Sequence, residues 1–163
     1  MKKFLQLVDT IAILGGYLSG LFMLLMVSLI TLEIFLRAFF NTSTLIADEF
    51  SAYFMVWVVF TGLAYTFKEK GHIQINVLTS RIHNPKIKYV LEVITMAIAL
   101  AISCFALYYV IDMIKETYRL DIRADSMAET PLWIPELGVG LGLGITCLQL
   151  GALFLKTILN PKK

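Results

Sequence analysis

The charged and reactive side chains of this chain are few, and their types and spacing narrow the chemistry they could do. Glu33 and Arg37 stand four residues apart, so on a helix they share one face and can pair. That spacing reads as an ion pair at a membrane edge. A proton or substrate relay would need the charges near mid-membrane, and neither lies there. Asp48 and Glu49 are adjacent carboxylates, which could suggest a metal site or an acid/base pair. No third ligand is near, and neighbouring residues point to different faces of a helix. Helix capping, dipole compensation and partner contact are therefore expected of them. His72 and His83 are the only histidines and both fall in one inter-block segment. A haem held between helices would need histidines facing one another across a bundle, so a membrane cytochrome is not expected. Cys104 and Cys147 lie inside apolar blocks and read as small apolar side chains. Gly138, Gly140, Gly142 and Gly144 look like a phosphate loop only superficially, because no strand precedes them and no Lys-Ser/Thr follows. The expectation is no catalytic residue, no cofactor and no metal.

The elements that must hold these residues are apolar. Of 163 residues 58% are hydrophobic and 16% charged, against roughly a quarter charged in soluble domains. The mean hydropathy is +0.78. A disordered chain, a nucleic-acid binder and most soluble folds are excluded. Charge-free blocks run over 10–32, 50–67, 93–111 and 137–155. Each is long enough to cross about 30 Å of hydrocarbon as a helix. The fold class expected is an all-α integral membrane protein with four transmembrane helices and short amphipathic interfacial segments. Residues 1–163 form one membrane domain, with spans near 7–36, 49–68, 89–112 and 136–157. Outer loops then cover about 37–48 and 113–135, and an inner loop about 69–88. Membrane lipid is a necessary partner and nucleic acid is not.

Lys and Arg are unevenly placed. With both termini inside, ten lie on the inner side and four on the outer, so the positive-inside rule puts both ends in the cytoplasm. The outer loops are net acidic. The first block is expected to be retained as an anchor: Asp9 interrupts its start, the apolar run is too long for a cleaved signal, and no A-x-A site follows.

Within the spans, Gly16/Gly20 and Gly15/Ser19 make small-residue steps, as do Gly138/Gly142 and Gly140/Gly144. Such steps let helices approach closely. Trp57 falls inside its span, and its indole N–H favours a protein-facing position. In the inner loop Ile75, Leu78 and Ile82 accompany Arg81, Lys86 and Lys88, a pattern that fits an interfacial helix halted at Asn84-Pro85. The alternation Ile73, Ile75, Val77 fits a strand as well. The third span continues as helix through Asp112, Ile114 and Tyr118. Thr130 to Pro135 reads as extended, because prolines oppose helix, and Trp133 suits the interfacial aromatic belt.

One set of residues carries a resemblance. Arg37-Ala38-Phe39-Phe40-Asn41, Asp48-Glu49-Phe50-Ser51, Val56-Trp57, Phe60, Gly62 and Gly71-His72-Ile73 follow in order. Together with Pro131, Trp133, Pro135 and Gly138, the chain resembles the small, DctQ-like membrane subunit of tripartite ATP-independent periplasmic (TRAP) transporters. One departure is visible: a Trp often precedes the acidic pair in that family, and here Leu45 and Ile46 stand nearby. The resemblance implies a bacterial inner-membrane subunit that braces a large multi-span subunit. That partner moves an organic anion inward on a sodium gradient, after a periplasmic substrate-binding protein delivers it. It makes partner-interface candidates of Arg37, Asn41, Asp48, Glu49, Trp57, Gly62, His72 and Trp133, and the small-residue step adds Gly140 and Gly144. Asp121, Asp125 and Glu129 are candidates for docking the periplasmic protein. The competing reading is a homo-oligomeric channel or carrier, lined by Ser28, Thr31, Thr61, Thr95, Ser103, Thr146 and Gln149. An anchor for an enzyme complex is a third.

Overall fold

Long apolar runs with no water to satisfy the backbone leave helix as the only economical conformation, and four helices result. The computed structural model describes residues 2–69 and 85–159. Helix α1 spans Lys2–Phe40, α2 Ala47–Lys68, α3 Pro85–Arg119 and α4 Trp133–Leu159. All four are long and apolar enough to cross a membrane. The expected inner-loop segment, with Ile75, Leu78, Ile82 and both His72 and His83, lies outside the described residues; so does the C-terminal tail from 160.

Two helices are longer than hydrocarbon requires. At about 1.5 Å per residue, the 39 residues of α1 extend about 58 Å and the 35 of α3 about 52 Å. Each therefore continues past the membrane core, α3 through Asp112 and Tyr118. Their stops are local. Asn41 takes a left-handed backbone, φ 48°, just after α1. Asp121 does the same after α3, φ 46°. There the amide of Ile122 donates to the Thr117 carbonyl (3.1 Å) and that of Asp121 to the Tyr118 carbonyl (3.4 Å), which is a Schellman closure.

The start of α4 differs from the expected extended stretch. Trp133, Ile134 and Pro135 form its first turn. A proline fits there because first-turn amides have no intrahelical acceptor to lose. Pro131 remains outside the helix, bridged to Arg123.

Helix α4 organises the packing. It touches α2 on one side, α3 on another and α1 less extensively, while α1 packs mainly on α2. The helices thus run in the order α1, α2, α4, α3 across an open layer. The buried apolar side chains are few: Val8, Ala12, Ala47, Ala64, Leu143, Leu150 and Ala152. Along the apolar stretch of α3 no residue is buried within the chain. The loops 41–46 and 120–132 share one end of the layer, called here the loop end; Lys2, Lys68, Pro85 and Leu159 share the other, the terminal end.

Candidate functional site: two carboxylate hubs and the faces of α4

Glu33 sits near the end of α1, and its residue surface is 5% exposed. Its Oε1 accepts hydrogen bonds from Arg37 Nε (2.7 Å) and from the Ser43 hydroxyl. Its Oε2 accepts from the Thr44 amide (3.1 Å) and the Thr44 hydroxyl (2.6 Å). All four bonds come from one short stretch, 37–44, so Glu33 folds the α1–α2 turn around itself. Arg37 also donates from Nη2 to Ser43 (3.3 Å), and its side chain is 54% exposed. The expected i,i+4 ion pair is present, and its carboxylate is also the hub of the turn. The Asn-Thr-Ser-Thr run after the helix was the available signal: hydroxyls close behind an acid can wrap it.

Glu49 makes the second hub. It accepts the Tyr53 hydroxyl (2.7 Å) within α2 and the Ser126 hydroxyl from the α3–α4 loop. Asp48 takes another course. It is exposed, and its carboxylate makes no hydrogen bond or ion pair among the described residues. Neither acid caps α2 through its side chain, since the N-cap position is Ile46 and has no side-chain bond. Both still lie in the first turn, where negative charge suits the helix dipole.

The loop that Glu49 holds is itself folded. Ala124 N donates to Thr130 O (2.9 Å) and Leu132 N to Ile122 O (3.1 Å), closing a small antiparallel hairpin. Asp121, Asp125 and Glu129 are exposed on it. Asp121 pairs with Arg123 at 3.1 Å, which offsets part of the acidic edge. Glu129 has φ 44°, so it also serves the turn. Beneath, Thr117 donates to Glu136 Oε1 (3.1 Å), and Trp133 meets Tyr118 edge-on at 5.7 Å.

The glycines sort by neighbour. A Cβ on Gly142 would lie 2.3 Å from the Phe60 carbonyl oxygen, and one on Gly138 would lie 2.8 Å from the Trp57 ring. Trp57 also meets Phe22 of α1 at 5.0 Å, so its ring fills the junction of α1, α2 and α4. Gly15 abuts the Thr61 carbonyl, Gly62 abuts Ser19, and Gly16 abuts Tyr65. The Ser19 hydroxyl donates to the Val58 carbonyl (2.7 Å), adding a bond across α1 and α2. Gly140 faces Ile114 of α3, whereas Gly20, Gly144 and Gly151 face nothing within 4 Å. The two Cys sulfurs lie 3.8 Å apart where α3 meets α4, with Cys104 exposed.

One face of α4 stays open. Leu141, Leu148 and Leu155 are 55%, 50% and 48% exposed, and Gly144 and Gly151 lie between them. The spacing is three and four residues, one continuous helix face. At the terminal end, Gln149 is fully buried and donates to Asp9 Oδ1 (3.0 Å), while its side-chain carbonyl has no partner among the described residues. Neither Gln149 nor Glu33 was among the residues the sequence singled out as interface candidates. His72 lies outside the described residues.

No group of three or more His, Cys, Asp or Glu able to hold a metal occurs among the described residues. The polar contacts described above tie elements together. Residues 26–160 match the family described as tripartite ATP-independent periplasmic transporters, DctQ component. A Haemophilus influenzae protein named as a TRAP transporter small permease protein is 25% identical over 118 residues, covering 72% of this chain and 71% of its own. A second protein of that name and organism is 34% identical over 58 residues, 36% of each chain. No solved structure matches. A four-helix apolar chain whose match covers three of its four spans entirely and the last part of the first, from residue 26, leaves one conclusion: it belongs to the DctQ component family of TRAP transporters.

Proposed function

We propose that the chain is a non-catalytic brace in a sodium-driven TRAP transporter for organic acids, seated in the bacterial inner membrane with both termini cytoplasmic. Its partners are a large multi-span subunit and a periplasmic substrate-binding protein. The observation that supports this reading best is the family match over residues 26–160. The chemistry fits a brace: Glu33 and Glu49 each fasten a loop to a helix end.

The open α4 face suits the large subunit. Exposed leucines flank Gly144 and Gly151, and a helix laid there would find apolar knobs beside small-residue hollows. Trp57, Gly62 and Gly140 work inside the chain, so their effect on a partner passes through helix placement. Arg37, Asn41, Asp48 and Trp133 line the loop end, on the periplasmic side in this orientation. Asp125 and Glu129, with Asp121 partly neutralised, offer the binding protein a weak, salt-sensitive edge; exposed charges of this kind mainly steer encounter.

Four of the seven polar residues of the channel reading are engaged within their own helices, which favours the brace. Thr31, Thr61, Thr95 and Thr146 each donate back to the carbonyl four residues earlier in their own helix. The deciding experiment is affinity purification of the full chain in mild detergent, followed by reconstitution. Co-purification of a large membrane subunit, and uptake of an organic acid that needs both subunits and sodium, are expected. Ion or solute flux through the chain alone in vesicles would overturn the brace.

A further inference from the structure

A cavity of about 130 Å³ opens between α1 and α2 at the loop end, lined by Ile30, Glu33, Ile34, Arg37, Ala47 and Asp48. Its walls are of two kinds. Ile30, Ile34 and Ala47 make an apolar floor, and the three charged residues make a rim. The charges are not equivalent. Glu33 is closed, because both its oxygens are engaged by Arg37, Ser43 and Thr44. Arg37 has donors left over: Nε serves Glu33 and Nη2 reaches Ser43, and its side chain is 54% exposed. The Asp48 carboxylate is exposed and unbonded among the described residues. The lining thus includes one available cation and one available anion together with apolar side chains.

The depth is right for a headgroup. Arg37 follows the charge-free block 10–32 and Asp48 precedes the block 50–67, so both stand at the edge of the hydrocarbon. A purely anionic ligand would gain Arg37 and meet Asp48 unfavourably. A purely cationic one would do the reverse. A group with a phosphate and a primary ammonium two carbons apart satisfies both. Its phosphate accepts from the guanidinium, and its ammonium, with N–H donors, bonds the carboxylate. A quaternary ammonium has no such donors. We propose that this groove binds the headgroup of a phosphatidylethanolamine-type lipid, phosphate on Arg37 and ammonium on Asp48, with an acyl chain along Ile30 and Ile34. The proposal does not depend on the transport role.

The test uses the full chain, purified and delipidated in mild detergent. It is offered phosphatidylethanolamine, phosphatidylglycerol or phosphatidylcholine with matched acyl chains, and retained lipid is read by native mass spectrometry. Phosphatidylethanolamine should be retained several-fold over the other two. Asp48→Asn should bring its retention down to that of phosphatidylcholine, with the unfolding temperature lowered only slightly, because beyond the headgroup its side chain contributes only first-turn charge to α2. Ile34→Trp, which fills the floor, should displace it as well. Equal retention of the three lipids, or full retention by Asp48→Asn, would overturn the site. Free phosphoethanolamine competing at equimolar concentration would show a headgroup site indifferent to the bilayer, and would overturn the lipid assignment. The lipid should also survive in the complex with the chain's partners; its loss there would make the groove a protein interface instead.

Discussion

The Ser126 hydroxyl donates to the Glu49 carboxylate across 77 residues of sequence. This bond couples the start of α2 to the hairpin between α3 and α4. Ser126→Ala and Glu49→Ala should each lower the unfolding temperature of the purified chain. The double variant should lose little more than the worse single one, since partners in one contact are not additive. Glu49→Gln keeps an acceptor and should be the mildest. A double-variant cycle checks this, and additive losses would show that the two residues act separately.

Gly142 should tolerate no larger residue. Even alanine would drive a methyl into the Phe60 carbonyl, so α2 and α4 would have to part, at a cost of about 1–3 kcal/mol. Chemical or thermal unfolding in detergent measures it. A neutral Gly142→Ala would mean that α2 and α4 do not meet backbone to backbone at this position.

Gly144 and Gly151 should behave in the opposite way. With nothing within 4 Å, Leu at either position should leave the isolated chain as stable as before. Recovery of the large subunit with it should fall. Undiminished recovery would place this face of α4 against lipid.

Asp9 and Gln149 form a buried polar link between α1 and α4. Asp9→Ala strips the one side-chain bond this fully buried amide makes among the described residues, and an unsatisfied buried polar group costs about 1–3 kcal/mol. Adding Gln149→Leu to that variant should recover part of the loss, because the orphaned amide is then gone. Unfolding of the three variants decides it; a further loss in the double variant would contradict the account.

Trp57 is the largest side chain at the junction of α1, α2 and α4. Truncation to Ala should cost about 3 kcal/mol, near the low end for an aromatic because the ring is only part-buried. Trp57→Phe should cost less. Unfolding followed by helicity measures both losses, and a Phe variant as unstable as the Ala variant would contradict the account.

Four spans were legible because hydrocarbon imposes length and polarity on any crossing segment, and 10–32 or 137–155 could be little else. Glu33 with Arg37 was legible as a pair for the same local reason. Its role as a hub was not, because Ser43 and Thr44 reach it only after the chain turns back. Glu49's bond to Ser126 depends on how α4 places a distant hairpin. The glycine run of α4 announced close approach but could not say to what. Gly138 and Gly142 face α2, Gly140 faces α3, and Gly144 faces outward, a division set by where the neighbouring helices stand. Pro135 misled in the other direction: its chemistry forbids a helix interior and is indifferent to a helix's first turn.

Helix α3 touches the rest of the chain along a single seam with α4, and its apolar stretch has no interior position. Ile98, Ile102, Phe105 and Tyr109 are all more than half exposed. Most of this helix therefore takes its constraints from outside the chain. A saturation scan along 94–109 would act as a survey of the surroundings. Sites bathed by lipid accept any apolar residue, whereas sites pressed on another protein distinguish shape. The chain alone fixes no such fingerprint, so whatever pattern emerges is an imprint of the neighbour.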